Sequence, residues 1–205
     1  MSTLAVVVGI DVGGPSKGFH AVALRDGVYL EKFAALDAQP MARWCHEINA
    51  QVIGIDAPCR WSTTGRARRA ERELAAEGVY AFATPNREVA ENRNFYRWML
   101  NGAALYKLIE THYQLFDGRN TALGRVCFET FPQAVACALA GKIVSAKQKR
   151  IVRRELLREA RIDTTPLSNI DLIDAALCAL AANHLLTGNI KIYGEATEGF
   201  IVVPS

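Results

Sequence analysis

Leu4-Ala-Val-Val-Val-Gly-Ile-Asp-Val-Gly-Gly14 is a continuous apolar run that ends by setting one carboxylate, Asp11, among glycines. Near-continuous Val, Ile and Leu suits a strand covered on both faces. Such a strand has no routine use for an acid, because an isolated buried charge is expensive and must find a partner, a hydrogen bond or a metal. The phrase recurs as Val52-Ile-Gly-Ile-Asp-Ala-Pro58, with Gly-Ile-Asp in common and Asp56 at the equivalent place. Two apolar strands that each deliver an Asp point to a shared acidic site.

Working outward from the first strand, Gly18 to Leu24 alternates loosely, Asp26-Gly27 is a strong hairpin signal, and Val28 to Phe33 reads as the returning strand. Met41, Trp44, Cys45 and Ile48 carry a helical period over 38–50, which leads straight into the Asp56 strand. Helix followed by strand implies a crossover, so the Asp56 strand should lie parallel to the first. A three-strand antiparallel meander, a helix and a parallel strand give the order of the ribonuclease H-like fold: α/β, with a mixed five-stranded sheet flanked by helices.

The rest of the chain supplies the remaining pieces. Arg125 to Phe131 is the next strand and contributes Glu129, and Pro132 opens a helix that Gly141 ends. Residues 99–113 are helical in pattern. Residues 147–161 form a basic helix with Ile151, Val152, Leu156 and Leu157 as its apolar stripe and its arginines on a solvated face. Residues 169–186 form the most apolar helix, with Asp171 and Asp174 on one side near its start. Glu198 to Pro204 closes the chain as a terminal edge strand. Between these elements, 59–98 reads as an irregular insertion. It opens with Arg60, Arg66, Arg68, Arg69 and Arg72 interleaved with Glu71, Glu73 and Glu77, and continues through Tyr80, Phe82, Phe95, Tyr96 and Trp98.

Composition sets outer bounds. A chain of 205 residues, half of them hydrophobic, can bury one full core, so a single domain over 1–205 is expected. A net charge of +3 is too weak to indicate nucleic acid by itself. The five cysteines are odd in number, widely spaced and without a Cys-x-x-Cys pair, which argues for reduced thiols in the cytoplasm. The N-terminal run has no basic region before it and is broken by Asp11, so it reads as neither signal peptide nor membrane span, and nothing else is long enough to cross a bilayer. His20, His46, His112 and His184 show no ligand spacing and read as ordinary core or surface residues.

Through the expected fold, Asp11, Asp56, Glu129 and Asp174 become one candidate catalytic and metal-binding set. Clustered carboxylates suit hard divalent cations, Mg2+ or Mn2+. Two such ions about 4 Å apart activate a water and stabilise the leaving oxygen in phosphodiester hydrolysis. Asp171 has two readings, a fifth metal ligand or the third residue of a capping arrangement begun by Ser168. Glu129 has an alternative as the partner of an arginine at the sheet edge. Arg66, Arg68, Arg69 and Arg72 are either ion-paired on a solvated helix face or a grip for substrate phosphates.

In combination, Gly-Ile-Asp11 followed by Gly18-Phe19, Ile-Asp56-Ala-Pro58, the arginines through Arg66 and Arg69, Glu129-Thr-Phe-Pro132, Asp171-Leu-Ile-Asp174 and the closing Gly-Phe-Ile-Val-Val-Pro204 resemble the family catalogued as domain of unknown function 429. The resemblance covers nearly the whole chain. It implies a ribonuclease H-like fold and an acidic metal site similar to that of ribonuclease H, integrases and Holliday-junction resolvases. The family commonly has Gly-Trp where this chain has Gly18-Phe19, a change that touches packing rather than chemistry.

The leading expectation is a divalent-metal nuclease acting on nucleic acid of unspecified type. One alternative is a nucleotide-binding phosphotransferase of the actin-like and sugar-kinase type, because Gly9-Ile-Asp-Val-Gly-Gly14 resembles their first phosphate loop. Those enzymes use two such halves, and a homodimer would be needed to supply the second. The other alternative is a non-catalytic binding protein that keeps the fold.

Overall fold

The computed structural model describes residues 5–119 and 124–205; Leu4, at the head of the first run, lies outside them. The first run forms β1 (Val6–Val12), which pairs antiparallel with β2 (Phe19–Arg25), itself antiparallel to β3 (Val28–Ala35). The β2–β3 turn is the expected Asp26-Gly27, with φ of 48° and 76°, the doubly left-handed backbone that matches the twist of a two-residue hairpin. Helix α1 (Ala38–Glu47) then crosses over to β4 (Val52–Asp56), which lies parallel to β1.

Chain order continues through α2 (Arg69–Ala76), α3 (Arg87–Glu91), α4 (Arg97–Ile109), the short β5 (Gln114–Leu115), β6 (Val126–Glu129), α5 (Pro132–Ala140), α6 (Lys149–Glu159), α7 (Ile170–Thr187), β7 (Ile190–Glu195) and β8 (Gly199–Pro204). The sheet order is β3-β2-β1-β4-β6-β8-β7, with β5 beside the start of β6. The first five positions are the ribonuclease H-like arrangement, an antiparallel meander followed by parallel strands.

The sheet has eight strands rather than five. The closing segment is interior, parallel to β6 through the pairing of Glu129 with Ile201, and β7 is the edge. The Ile190, Ile192 alternation that makes β7 follows α7 after only Gly188-Asn189, so it hides behind the helix.

Two apolar layers cover the sheet. Val8, Ile10, Ile53 and Ile55 face α1 and α4. Val7, Val22, Val52 and Phe128 face α5, α6 and α7. Helix α7 lies across β1, β2 and β4. By length and composition it would suit a membrane span, which corrects the expectation that nothing in the chain would, but here most of it is buried as the core helix. The five cysteines are all buried and unpaired.

Gly9 and Gly54, paired across β1 and β4, are what let α7 lie so close. A Cβ at Gly9 would sit 2.0 Å from Ala179 N and 2.1 Å from Ala175 O, and one at Gly54 would sit 2.6 Å from Cys178 O. Backbone atoms cannot rotate out of the way. Gly9→Ala is therefore expected to cost about 3 kcal/mol by overpacking, read by urea unfolding; a loss of well under 1 kcal/mol would show that α7 rides higher than described. The same spacing places the acids, because side chains two apart share a strand face. Asp11 and Asp56 follow the glycines onto the α7 side.

Candidate metal centre

Asp11 pairs in register with Asp56 on one side and with His20 on the other, so the three side chains stand abreast on the face that α7 crosses. The start of α7 brings two more carboxylates. Asn169 caps the helix, its side chain accepting from Leu172 N at 2.8 Å, which overrides the expected cap at Ser168. Asp171 is thereby free of a capping role and accepts from Lys17 Nζ at 3.0 Å. One ligand atom from each of Asp11, His20 and Asp171 lies within 4.8 Å of the others.

Asp174, one turn further on, is buried and paired with Arg153 of α6, whose other terminal nitrogen donates to Gln133 Oε1 at 2.8 Å. Lys149 Nζ stands 3.9 Å from the second Asp174 oxygen. Arg153 is 5% exposed and so does not belong to the solvated face expected for this helix. Its position was available in the sequence: 149, 153, 156 and 157 share one side of a helix, the side that carries Leu156 and Leu157.

The charges do not balance. Burial, with the neighbouring charges of Asp174 and Asp171, pushes the Asp11 carboxyl up to about 8 despite Lys17 and Lys149. Asp56 is raised well above the usual carboxylate range, first by burial and then by Asp11 and Asp174. Asp174 is raised by burial, against the pull of Arg153.

A pH dependence follows. Folded Asp11 holds its proton between pH 3.8 and about 8, where the unfolded chain has released it, so the chelator-treated protein loses stability as pH rises through that window. Urea unfolding in EDTA at pH 5 and pH 8 measures this, and equal stability at both would contradict the geometry. The donor set fits a divalent cation. Oxygens of Asp11 and Asp171 and an imidazole nitrogen lie within 4.8 Å of one another, the raised carboxyls hold protons that a cation can displace, and the Nδ1 of His20 is buried with no hydrogen-bond partner among the described residues.

Glu129 is not brought into this cluster. It pairs with Ile55, one residue short of Asp56, and a shift of one residue turns a side chain to the opposite face. There it accepts from Arg68 at 2.5 and 2.9 Å and from Cys59 N at 2.9 Å, the arginine-partner alternative. Arg68 is accordingly 1% exposed and has no surface to offer a phosphate. Arg69 pairs with Glu73 at 2.6 Å and reaches Glu195 at 3.7 Å, while Arg72 donates to Ala67 O at 2.6 Å; Arg66 is exposed. Helix α2, which carries Arg69 and Arg72, packs on β7 and β8. The basic groups beside the carboxylates are instead Lys17, Lys149 and Arg153. His20, read as ordinary, becomes conspicuous only once the β1–β2 register puts it opposite Asp11.

The family described as "Protein of unknown function (DUF429)" matches residues 9–198. Among solved structures, Thermus thermophilus RuvC matches at 16% identity and a TM-score of 0.48, covering 89% of this chain and 95% of that one. T. thermophilus RuvC in complex with Holliday junction substrate matches at 17% identity and a TM-score of 0.48, covering 90% and 94%. No curated protein matches the chain.

Proposed function

The chain belongs to the DUF429 family of proteins of unknown function, and from that premise we propose that it is a divalent-metal-dependent nuclease hydrolysing phosphodiester bonds of nucleic acid. The observation that carries the reading is the pairing of Asp11 with Asp56 at one register on adjacent parallel strands, under the helix start that bears Asp171 and Asp174. Asp11, Asp56 and Asp171 would hold the metal, with Asp174 completing the acidic wall. Bound there, Mg2+ or Mn2+ would supply an activated water and charge neutralisation at the leaving oxygen.

The chain's own residues do the rest. Arg153 fixes Asp174 in place, bridging it to Gln133. Lys17 and Lys149 are about half exposed at the rim, with side chains 60% and 46% accessible, where they can meet substrate phosphates. A recess beside Asp56 is lined by Ala57, Phe82, Trp98 and Phe131. Phe82 and Phe95, 64% and 56% exposed and in edge contact at 5.3 Å, give sequence-tolerant stacking surfaces for unpaired bases.

The test is a cleavage assay on single-stranded, duplex, hybrid and branched substrates with Mg2+, Mn2+ or EDTA, beside calorimetric titration of each ion. Metal-dependent cleavage of any of these supports the reading. No binding at millimolar ion would end it.

A further inference from the structure

Resting on that acidic site, we propose that His20 is a nitrogen ligand of its metal and makes the site select a first-row transition ion such as Mn2+ over Mg2+. The position is built by the fold. The β1–β2 ladder fixes His20 directly beside Asp11, and an imidazole nitrogen lies within 4.8 Å of carboxylate oxygens of both Asp11 and Asp171. Two donors on one ion at bond lengths of about 2.1 Å stand no more than about 4.2 Å apart, so side-chain shifts of about 0.6 Å at most bring this group onto a single ion.

The second observation is independent of the acids. His20 Nδ1 is buried and has no hydrogen-bond partner among the described residues. A buried polar atom left unpaired is costly, and native structures retain few of them. Among the described residues no carbonyl, hydroxyl or carboxylate fixes the ring by a hydrogen bond; the groups that converge on it are metal-ligand types.

Donor chemistry then decides the ion. Mg2+ holds to oxygen ligands and near-ideal octahedral geometry. Imidazole raises affinity for the transition ions along the usual divalent series. An all-carboxylate cluster would discriminate little between Mg2+ and Mn2+, whereas the two carboxylates and one imidazole of this group discriminate in favour of Mn2+. Lys17, bonded to Asp171 and largely exposed, is free to swing away when the ion enters.

The experiment is Mn2+ titration followed by electron paramagnetic resonance, with Mg2+ as competitor, on wild type, His20→Ala, His20→Gln and Asp56→Asn. The wild-type Mn2+ signal should carry nitrogen-14 modulation in its spin echo. Mn2+ should bind at least about tenfold tighter than Mg2+, and His20→Ala should weaken Mn2+ about tenfold while leaving Mg2+ within about threefold.

Wild-type Mn2+ bound without nitrogen-14 modulation overturns the assignment, and that measurement needs no variant to fold. Equal weakening of both ions in His20→Ala and His20→Gln, at unchanged melting temperature, overturns it too, because a merely structural histidine would act that way. In both cases Asp56→Asn still removes binding and the nuclease reading stands. If Mn2+ does not bind the wild type at all, the acidic site itself fails.

Discussion

With Asp56 replaced by Asn, metal-dependent cleavage falls at least about a thousandfold, while the metal-free protein becomes more stable at pH 7. The opposite signs come from one cause. Asp56 stands beside Asp11 at the half-buried end of β4, and its carboxyl is raised well above the usual range by burial and by the charges of Asp11 and Asp174. At pH 7 the unfolded chain carries this group ionised, so folding must either take up a proton or bury a repelled charge. Both subtract from stability at high pH, and Asn does neither. The amide keeps the shape but withholds the negative charge that a divalent ion needs. Losing several kcal/mol of transition-state stabilisation corresponds to a factor of about a thousand.

Urea unfolding in EDTA at pH 5 and pH 7, beside kcat/KM on whichever substrate is cut, reads both halves. The stability gain should shrink at pH 5, towards the pH where the free carboxyl is itself protonated. A variant that is less stable than wild type, or one that cleaves at the wild-type rate, would remove Asp56 from the centre of the site.

The same pair explains why so much of this molecule can be read without coordinates. Gly9 and Gly54 must be glycine because α7 touches them, Asp11 and Asp56 follow two residues later on the same face, and the helix between the strands makes them parallel. Each step is local, so the repeated Gly-Ile-Asp carries both the fold and the centre of the site. Asp171 and Asp174 are legible for a similar reason, as the two acids at the head of an otherwise apolar helix.

What fails is whatever depends on register between distant strands. Glu129 and Asp56 lie on neighbouring strands, and the one-residue offset between them, with Arg68 buried beside Glu129, decides what each carboxylate meets. His20 needs the length of the β1–β2 turn before it stands opposite Asp11. Arg68 and Arg153 look like surface charges among other surface charges until their buried acids are known. Spacing tells which side of its own element a residue occupies, but not what another element brings to meet it.

Arg68→Met is expected to cost about 3–5 kcal/mol, the largest stability loss of any single charge change in the molecule. All three guanidinium nitrogens donate. It gives two bonds to Glu129, at 2.9 and 2.5 Å, one to Glu71 at 2.9 Å, and two to the carbonyls of Glu198 and Arg60 at 3.1 and 3.2 Å. These tie the start of α2 to the end of β6 and to the β7–β8 turn. Glu71 is held from the other side by the backbone and hydroxyl of Thr84. Removing the arginine leaves two carboxylates buried without their cation, which is why breaking such a cluster costs more than its formation contributes.

Lysine should not rescue, because one ammonium cannot reproduce the planar fork that meets both Glu129 oxygens. Combining Arg68→Met with Glu129→Gln and Glu71→Gln should recover a large part of the loss, since no charge then remains to be stranded. A triple variant as unstable as the single one would mean that packing, not charge, holds the insertion. Glu129→Gln alone separates structure from chemistry. It is expected to lower the melting temperature while leaving Mn2+ affinity within about threefold, because its carboxylate is committed to Arg68 and Cys59 N and lies outside the Asp11, His20 and Asp171 group. Loss of metal binding in that variant, with the fold intact, would return Glu129 to the metal centre.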